Sequence, residues 1–294
     1  MSIWLDHLGG ELRMGEGGYR GRYVVGGQGE PLILLHGQGG HLENFSRNFA
    51  ALATRFRVFA LDCVWHGLGP QNLFDPELIP AFVYQLLAFM DAQGIEAAHI
   101  EGQSMGGWTA LRLAHDHPAR VRRLVLTTSQ GFAVKLDSGR LHAAMPPPEM
   151  LASQLAFLQN PTRENIRQRM LGLFAQPENL PEEMIEVRHR LYNLPEVNTS
   201  LRAVVRSYMG GPDSPPRRHL VKPDELARIA APTLVYWADA NPGPSDLGRR
   251  LAEILPHAQY HCAANTGHWA QFENAEEHNR EVLSFLCESQ SGLP

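Results

Sequence analysis

The sequence predicts an α/β protein: a mostly parallel twisted sheet flanked by helices and interrupted by a helical insertion. Three observations carry this expectation. Short apolar runs rich in Leu or β-branched residues alternate with helix-periodic segments through residues 1–130. The same alternation resumes over residues 224–294. Between them, residues 131–223 hold helix-like segments and no convincing strand.

In chain order, "GRYVV" and "PLILLHG" read as strands, the second ended by Gly37. "ENFSRNFAALATRF" has helical spacing, and "RVFALDC" is strand-like. "PELIPAFVYQLLAFMDAQG" is a helix ending at Gly94. "AAHIEGQ", "SMGGWTALRLAHDHP" and "VRRLVLTTS" continue as strand, helix and strand. The insertion contributes "PPPEMLASQLAFLQ", "PTRENIRQRMLGLFA", "PEEMIEVRHRLYN" and "VNTSLRAVVRSYMG", several with Pro near the start, where a helix tolerates it. "GGPDSPPRRH" is a turn-rich exit. "TLVYW", "SDLGRRLAEIL", "AQYHCAA" and "AEEHNREVLSFL" close the alternation, with Ser245 or Asp246 as the expected N-cap of the first helix.

The chain has 294 residues and a net charge of −5, without a basic block, which argues against nucleic acid as a partner. Cys63, Cys262 and Cys287 fit no zinc motif and read as reduced thiols. The start, "MSIWLDHLGGELR", lacks the pattern of a signal peptide, and no apolar run approaches the ~20 residues that span a bilayer. The expected setting is therefore the cytoplasm, away from membranes.

"EGQSMGG" contains Gly102-Gln103-Ser104-Met105-Gly106, a G-x-S-x-G between a strand and a helix. That context is what a nucleophile elbow requires, with Ser104 at the apex. A serine hydroxyl needs a base, and His268 follows the last strand after Gly267. An oxyanion hole needs two N–H donors. Met105, after the nucleophile, supplies one. The loop of "LLHGQGG", kept slim by Gly37, Gly39 and Gly40, supplies the other at Gln38.

At these residues the chain resembles the α/β-hydrolase superfamily. More narrowly, "HGQGG…ENFSRN", "GQSMGG", "EEMIEVRHRLY" and "GHWAQFENAEEHNREVLSFL" are similar to the meta-cleavage product hydrolases, over about residues 20–289. Those enzymes split a carbon–carbon bond in 2-hydroxy-6-oxo-dienoates made by aromatic ring cleavage. The resemblance implies Ser104 as nucleophile, His268 as base, and Gln38 and Met105 as oxyanion amides. It implies Asn44 and Gln103 as polar pocket groups, Arg188 as the residue holding the oxygen-rich dienoate end, and Trp269 as the aromatic beside the histidine. It also implies no metal, no organic cofactor, a small-molecule substrate, and a homo-oligomer. For Arg188, the alternative is pairing, with Arg190, to Glu183 and Glu186 of the same helix.

Two departures stand out. In "LDCVWHGLG", Val64-Trp65 replaces a Pro-Gly pair common in relatives, so Trp65 is expected to reshape the pocket border, while Asp62 and His66 tie the loop down. In "YWADANPGP", the position of the family acid holds Asn241. A carboxylate lost from a serine protease triad costs roughly 10⁴ in kcat. Either Asn241 orients His268, or Asp239 is displaced toward it, or neither serves. The expectation is a serine-dependent C–C hydrolase; the alternatives are a carboxylesterase or lactonase of the same fold, and a weakly catalytic ligand-binding protein.

Overall fold

A computed structural model describes residues 10–15, 19–71, 73–210 and 213–288. The first nine residues, on which the signal-peptide expectation rests, and residues 211–212 of the turn-rich exit lie outside that description.

An eight-stranded sheet forms the centre, in the order β1-β2-β4-β3-β5-β6-β9-β10. Its strands are β1 (Glu11–Met14), β2 (Arg22–Gly26), β3 (Pro31–Leu35), β4 (Arg57–Leu61), β5 (Ala98–Gln103), β6 (Val121–Thr127), β9 (Thr233–Ala238) and β10 (Ala258–Ala263). β2 runs antiparallel to both its neighbours, β1 and β4, and the remaining pairs are parallel. Period-two alternation splits the core between the two faces. Ile33, Leu35, Phe59, Leu61, Leu124 and Leu126 bury on one face, and Leu32, Leu34, Val58, Ala60 and Val125 on the other. Both faces need cover, which is why nearly every position in β3, β4 and β9 is apolar.

Helices supply that cover. α1 (Phe49–Leu52) precedes β4; α2 (Ile79–Ala92) and α3 (Met105–Asp116) flank β5. α2 ends in a Schellman motif: Gly94, at φ +65°, donates to Asp91, and Ile95 donates to Met90. "ENFSRNFAALATRF" does not form one helix. It breaks into a 3-10 turn (Leu42–Phe45) and the single turn of α1. Tertiary ties win over its periodicity: the Leu42 amide donates to Asp62, Glu43 pairs with Arg22, and the Asn48 amide reaches Gln271 and Asn279.

Between β6 and β9 the chain first makes a hairpin, β7 (Ala133–Lys135) with β8 (Leu141–Ala143), where no strand was expected. Four helices follow, in the four expected segments: α4 (Met150–Gln159), α5 (Arg163–Leu171), α6 (Glu182–Tyr192) and α7 (Pro195–Tyr208). Phe132 bridges Val221, so this excursion leaves and returns at one place. Gly131 stands at that neck with φ +82°, and a Cβ there would lie 1.8 Å from the Trp108 ring. Short α8 (Pro223–Leu226) leads to β9; α9 (Leu247–Ile254), α10 (Ala270–Glu273) and α11 (Ala275–Cys287) finish the fold. Asp246 precedes α9 but does not cap it with its side chain; it accepts the Asp137 amide from the β7–β8 turn. No helix among the described residues is long and apolar enough to cross a membrane.

Candidate active site

The loops after β3, β5, β9 and β10 meet at the carboxyl end of the parallel sheet, the usual ligand crevice of such sheets. They carry Gln38, Ser104, Asn241 and His268, all of which line one cavity of about 400 Å³. Ser104 sits on a strained elbow at φ 55° and ψ −116°, with its side chain almost buried. The flanking glycines are required by contact: a Cβ on Gly102 would lie 2.4 Å from the Gly106 carbonyl, and one on Gly106 would lie 2.2 Å from Leu35. Met105 opens α3, where backbone N–H groups have no partner within the helix. Among the described residues no hydrogen bond joins the Ser104 hydroxyl to His268, a separation common before substrate binds.

His268 Nδ1 lies 2.7 Å from Asn241 Oδ1. The Asn241 amide nitrogen faces the Pro242 carbonyl at 3.5 Å, which leaves its oxygen to accept from the imidazole. Nδ1 is then the protonated nitrogen, and Nε2 is free to take a proton. Asp239, the other expected partner, is not at His268. It is exposed, and its carboxylate accepts the Asn265 and Thr266 amides at 2.9 and 3.1 Å. It braces the turn leading to His268 two residues before the imidazole. Burial first, and the nearby Arg169 cation second, push His268 down to about 4. The imidazole is therefore a neutral base across neutral pH.

The histidine loop is held from several sides. Gln103 Nε2 and Thr128 Oγ1 donate to the His268 carbonyl at 3.1 and 2.8 Å. The Glu273 carboxylate accepts the Gly267, Ala175 and Gln176 amides. His268 and Trp269 donate to the Leu173 carbonyl just beyond α5. Gln103 thus lines the cavity as expected and also ties the base in place.

Among the described residues Arg188 does not pair with an acid. Glu186 takes Arg190 at 2.7 Å and also Arg163. Arg188 is 1% exposed and donates to the Tyr192 hydroxyl at 2.6 Å and to Asn44 Oδ1 at 3.4 Å. Its guanidinium lies 4.6 Å from the centroid of Trp269, and its Nε has no hydrogen-bond partner among the described residues. Burial pulls its pKa down to about 10, still a cation at neutral pH. Arg188 stands one layer behind the cavity wall, touching Asn44 and Trp269, which line it. Trp65 lies away from the cavity: at φ 63° it packs on Phe74 and Phe82. Its loop is held from the inside, since Asp62 accepts from Arg22, Leu42 and Leu68, and a Cβ on Gly67 would meet that carboxylate at 2.6 Å.

Sequence reading missed Arg169, whose guanidinium lines the cavity and donates to Gln38 Oε1 at 3.1 Å. Local spacing gave no signal: Arg169 has no acid three or four residues away, but neither has Arg163, which pairs with Glu186. Beyond the reacting groups the cavity changes character, with Met145, Pro147, Met150, Met209, Pro244 and Leu247 along its wall. Met145 and Pro147 follow β8, Met150 opens α4, Met209 follows α7, Pro244 precedes α9 and Leu247 opens it.

A family model described as the alpha/beta hydrolase fold matches residues 30–275. The chain belongs to the α/β-hydrolase superfamily. Within it the chain is most like the meta-cleavage product hydrolases. A 2-hydroxy-6-oxononadienedioate/2-hydroxy-6-oxononatrienedioate hydrolase of Paraburkholderia xenovorans is 32% identical, over 94% of this chain and 93% of the relative. A 2-hydroxy-6-oxo-6-phenylhexa-2,4-dienoate hydrolase of Comamonas testosteroni is 31% identical, over 90% of each chain. The solved structure of a 2-hydroxy-6-oxo-6-phenylhexa-2,4-dienoate hydrolase from a Rhodococcus strain superposes with a TM-score of 0.81 at 27% identity, over 95% of this chain and all of the other.

Proposed function

We propose that this hydrolase cleaves the carbon–carbon bond beside the 6-ketone of a 2-hydroxy-6-oxo-dienoate carrying an uncharged substituent. One observation supports this over simple ester hydrolysis. Arg188 is a buried cation with no carboxylate partner among the described residues, next to the cavity that holds Ser104 and His268. An unpaired buried charge is expensive and has a use only if a ligand answers it. A carboxylate with a neighbouring oxygen suits a guanidinium fork.

In this reading the dienoate end lies against Asn44 and Trp269, with Arg188 behind them. Drawing charge to that end favours the 2-oxo tautomer and carries a proton to the carbon beside the ketone. His268 Nε2 takes the Ser104 proton as its oxygen attacks the ketone. The Gln38 and Met105 amides hold the resulting oxyanion. The carbon–carbon bond then breaks, the dienolate leaves as a carbanion equivalent, and water releases the acid from Ser104. Residues 131–223 act as the cap that selects the ketone substituent. The wall of Met145, Met150, Met209 and Leu247 suits a phenyl or alkyl group. The relative named for a nonadienedioate is named for a diacid. For this chain a 6-phenyl substrate is expected to exceed the nonadienedioate by about 10-fold or more in kcat/KM, since a carboxylate against that wall would go unpaired. The enzyme acts in the cytoplasm as a homo-oligomer, which sedimentation velocity reads directly.

Arg188→Gln tests the reading. Loss of the positive charge behind Asn44 and Trp269 is expected to lower kcat/KM for the dienoate by roughly 10- to 100-fold. Equal losses for the dienoate and for an uncharged aryl ester would instead favour the esterase reading.

A further inference from the structure

Two arginines converge at the dienoate end, and the proposed function above uses only one. Arg169 comes from α5 and Arg188 from α6. Both approach the Tyr192 hydroxyl. Arg188 donates to it at 2.6 Å, and a Cβ built on Gly39 would sit 2.9 Å from that oxygen and 4.0 Å from the Arg169 guanidinium. Neither arginine meets a carboxylate among the described residues, although the other arginines of α5 and α6 do: Arg163 pairs with Glu186, Arg167 with Glu182, and Arg190 with Glu186. Arg169 is the cation that lines the cavity itself, with Gln38 fixing one edge of its guanidinium. A second observation falls at the same end. The partner of His268 is Asn241, which brings no negative charge. The charged groups around the histidine loop are Arg169 and Arg188 from the insertion, Asp239 after β9 and Glu273 in α10. Asp239 and Glu273 are committed to backbone amides.

We propose that Arg169 is a second anion-recognising residue of this cavity, and that the substrate carboxylate it binds supplies the negative charge that Asn241 lacks. The inference rests on the dienoate reading and extends it. After burial itself, Arg169 is what opposes protonation of His268. A bound carboxylate masks that cation, so His268 Nε2 accepts the Ser104 proton more readily. The proton moves from Ser104 Oγ to Nε2 and returns to the leaving dienolate, with none gained or lost. Anionic substrates are thereby favoured in kcat as well as in KM.

The test uses the full chain, its Arg169→Gln and Arg169→Lys variants, and 2-oxobutyrate as an anion probe. Binding of 2-oxobutyrate is followed by tryptophan fluorescence, which needs no turnover. Arg169→Gln is expected to weaken it roughly 10- to 100-fold, and Arg169→Lys by less. The His268 imidazole is then titrated by NMR in the Ser104→Ala background. Saturating 2-oxobutyrate is expected to raise its pKa by about one unit or more with Arg169 present, and by little with Gln in its place. If Arg169 only props Gln38, probe affinity and His268 titration stay as in the parent; that result overturns the proposal. A parent that binds 2-oxobutyrate through Arg169 yet leaves the dienoate intact removes the C–C reading while keeping Arg169 as an anion site.

Discussion

Asn241 gives His268 the working tautomer through a neutral oxygen at 2.7 Å. Asn241→Asp puts a charge where none stands. An opposite charge at that distance raises an imidazole pKa by about 1–3 units. His268 starts at about 4, so it is the free base above that pH and is lost as a base below it. The variant's acid limb in kcat/KM for an aryl ester should therefore move up toward pH 5–7. At pH 8 the ester is expected to gain more than the dienoate, because the dienoate brings its own carboxylate. An unmoved limb would mean that residue 241 does not govern His268. That Ser104, His268 and the turn after β9 meet at one cavity was legible, because a motif and a chain order place them. The choice of Asn241 over Asp239 was not, because it turns on which side of a two-residue turn faces the imidazole. Arg169 was hidden because the wall it lines is built by an insertion whose packing no periodicity reports.

At the scale of elements, the histidine loop and the segment after α5 are joined through Glu273. Its carboxylate accepts three amides, from Gly267, Ala175 and Gln176. Hydrogen bonds to a buried charge contribute roughly 1.5–3 kcal/mol each. Glu273→Ala should lower Tm by several degrees and reduce kcat by displacing His268, with Glu273→Gln intermediate; calorimetry and steady-state rates read both. An unchanged Tm would show the loop held by Gln103 and Thr128 alone. The core strands from β2 to β6, with β9, were readable because a doubly covered sheet demands apolar runs, and β10, a half-exposed edge strand, was readable from its place in the alternation. The β7–β8 hairpin was not: its strands are three residues long and pair only with each other. The segment 43–56 misled for the opposite reason, since its helical spacing is overruled by ties to Arg22, Asp62 and α11.

For the molecule as a whole, the loops after β3 and β4 hang on a buried charge cluster, Arg22 with Glu43 and Asp62. Burial pushes the Glu43 carboxyl up, but His41 and Arg22 more than offset this and hold it at about 2. A carboxylate depressed on folding adds stability above its unfolded pKa and loses it as pH falls through the folded value. Unfolding free energy is therefore expected to decline between about pH 4.5 and 2, and Glu43→Gln should flatten that slope in denaturant titrations. The measurement that tests the account most directly is optical. A yellow 2-hydroxy-6-oxo-6-phenyl dienoate is mixed with the protein, and its visible absorbance is followed beside a Ser104→Ala control. The account predicts rapid bleaching, slowed on the order of 10⁴-fold or more by Ser104→Ala. Persistent absorbance with the wild-type protein, while an aryl ester is cleaved, would contradict it.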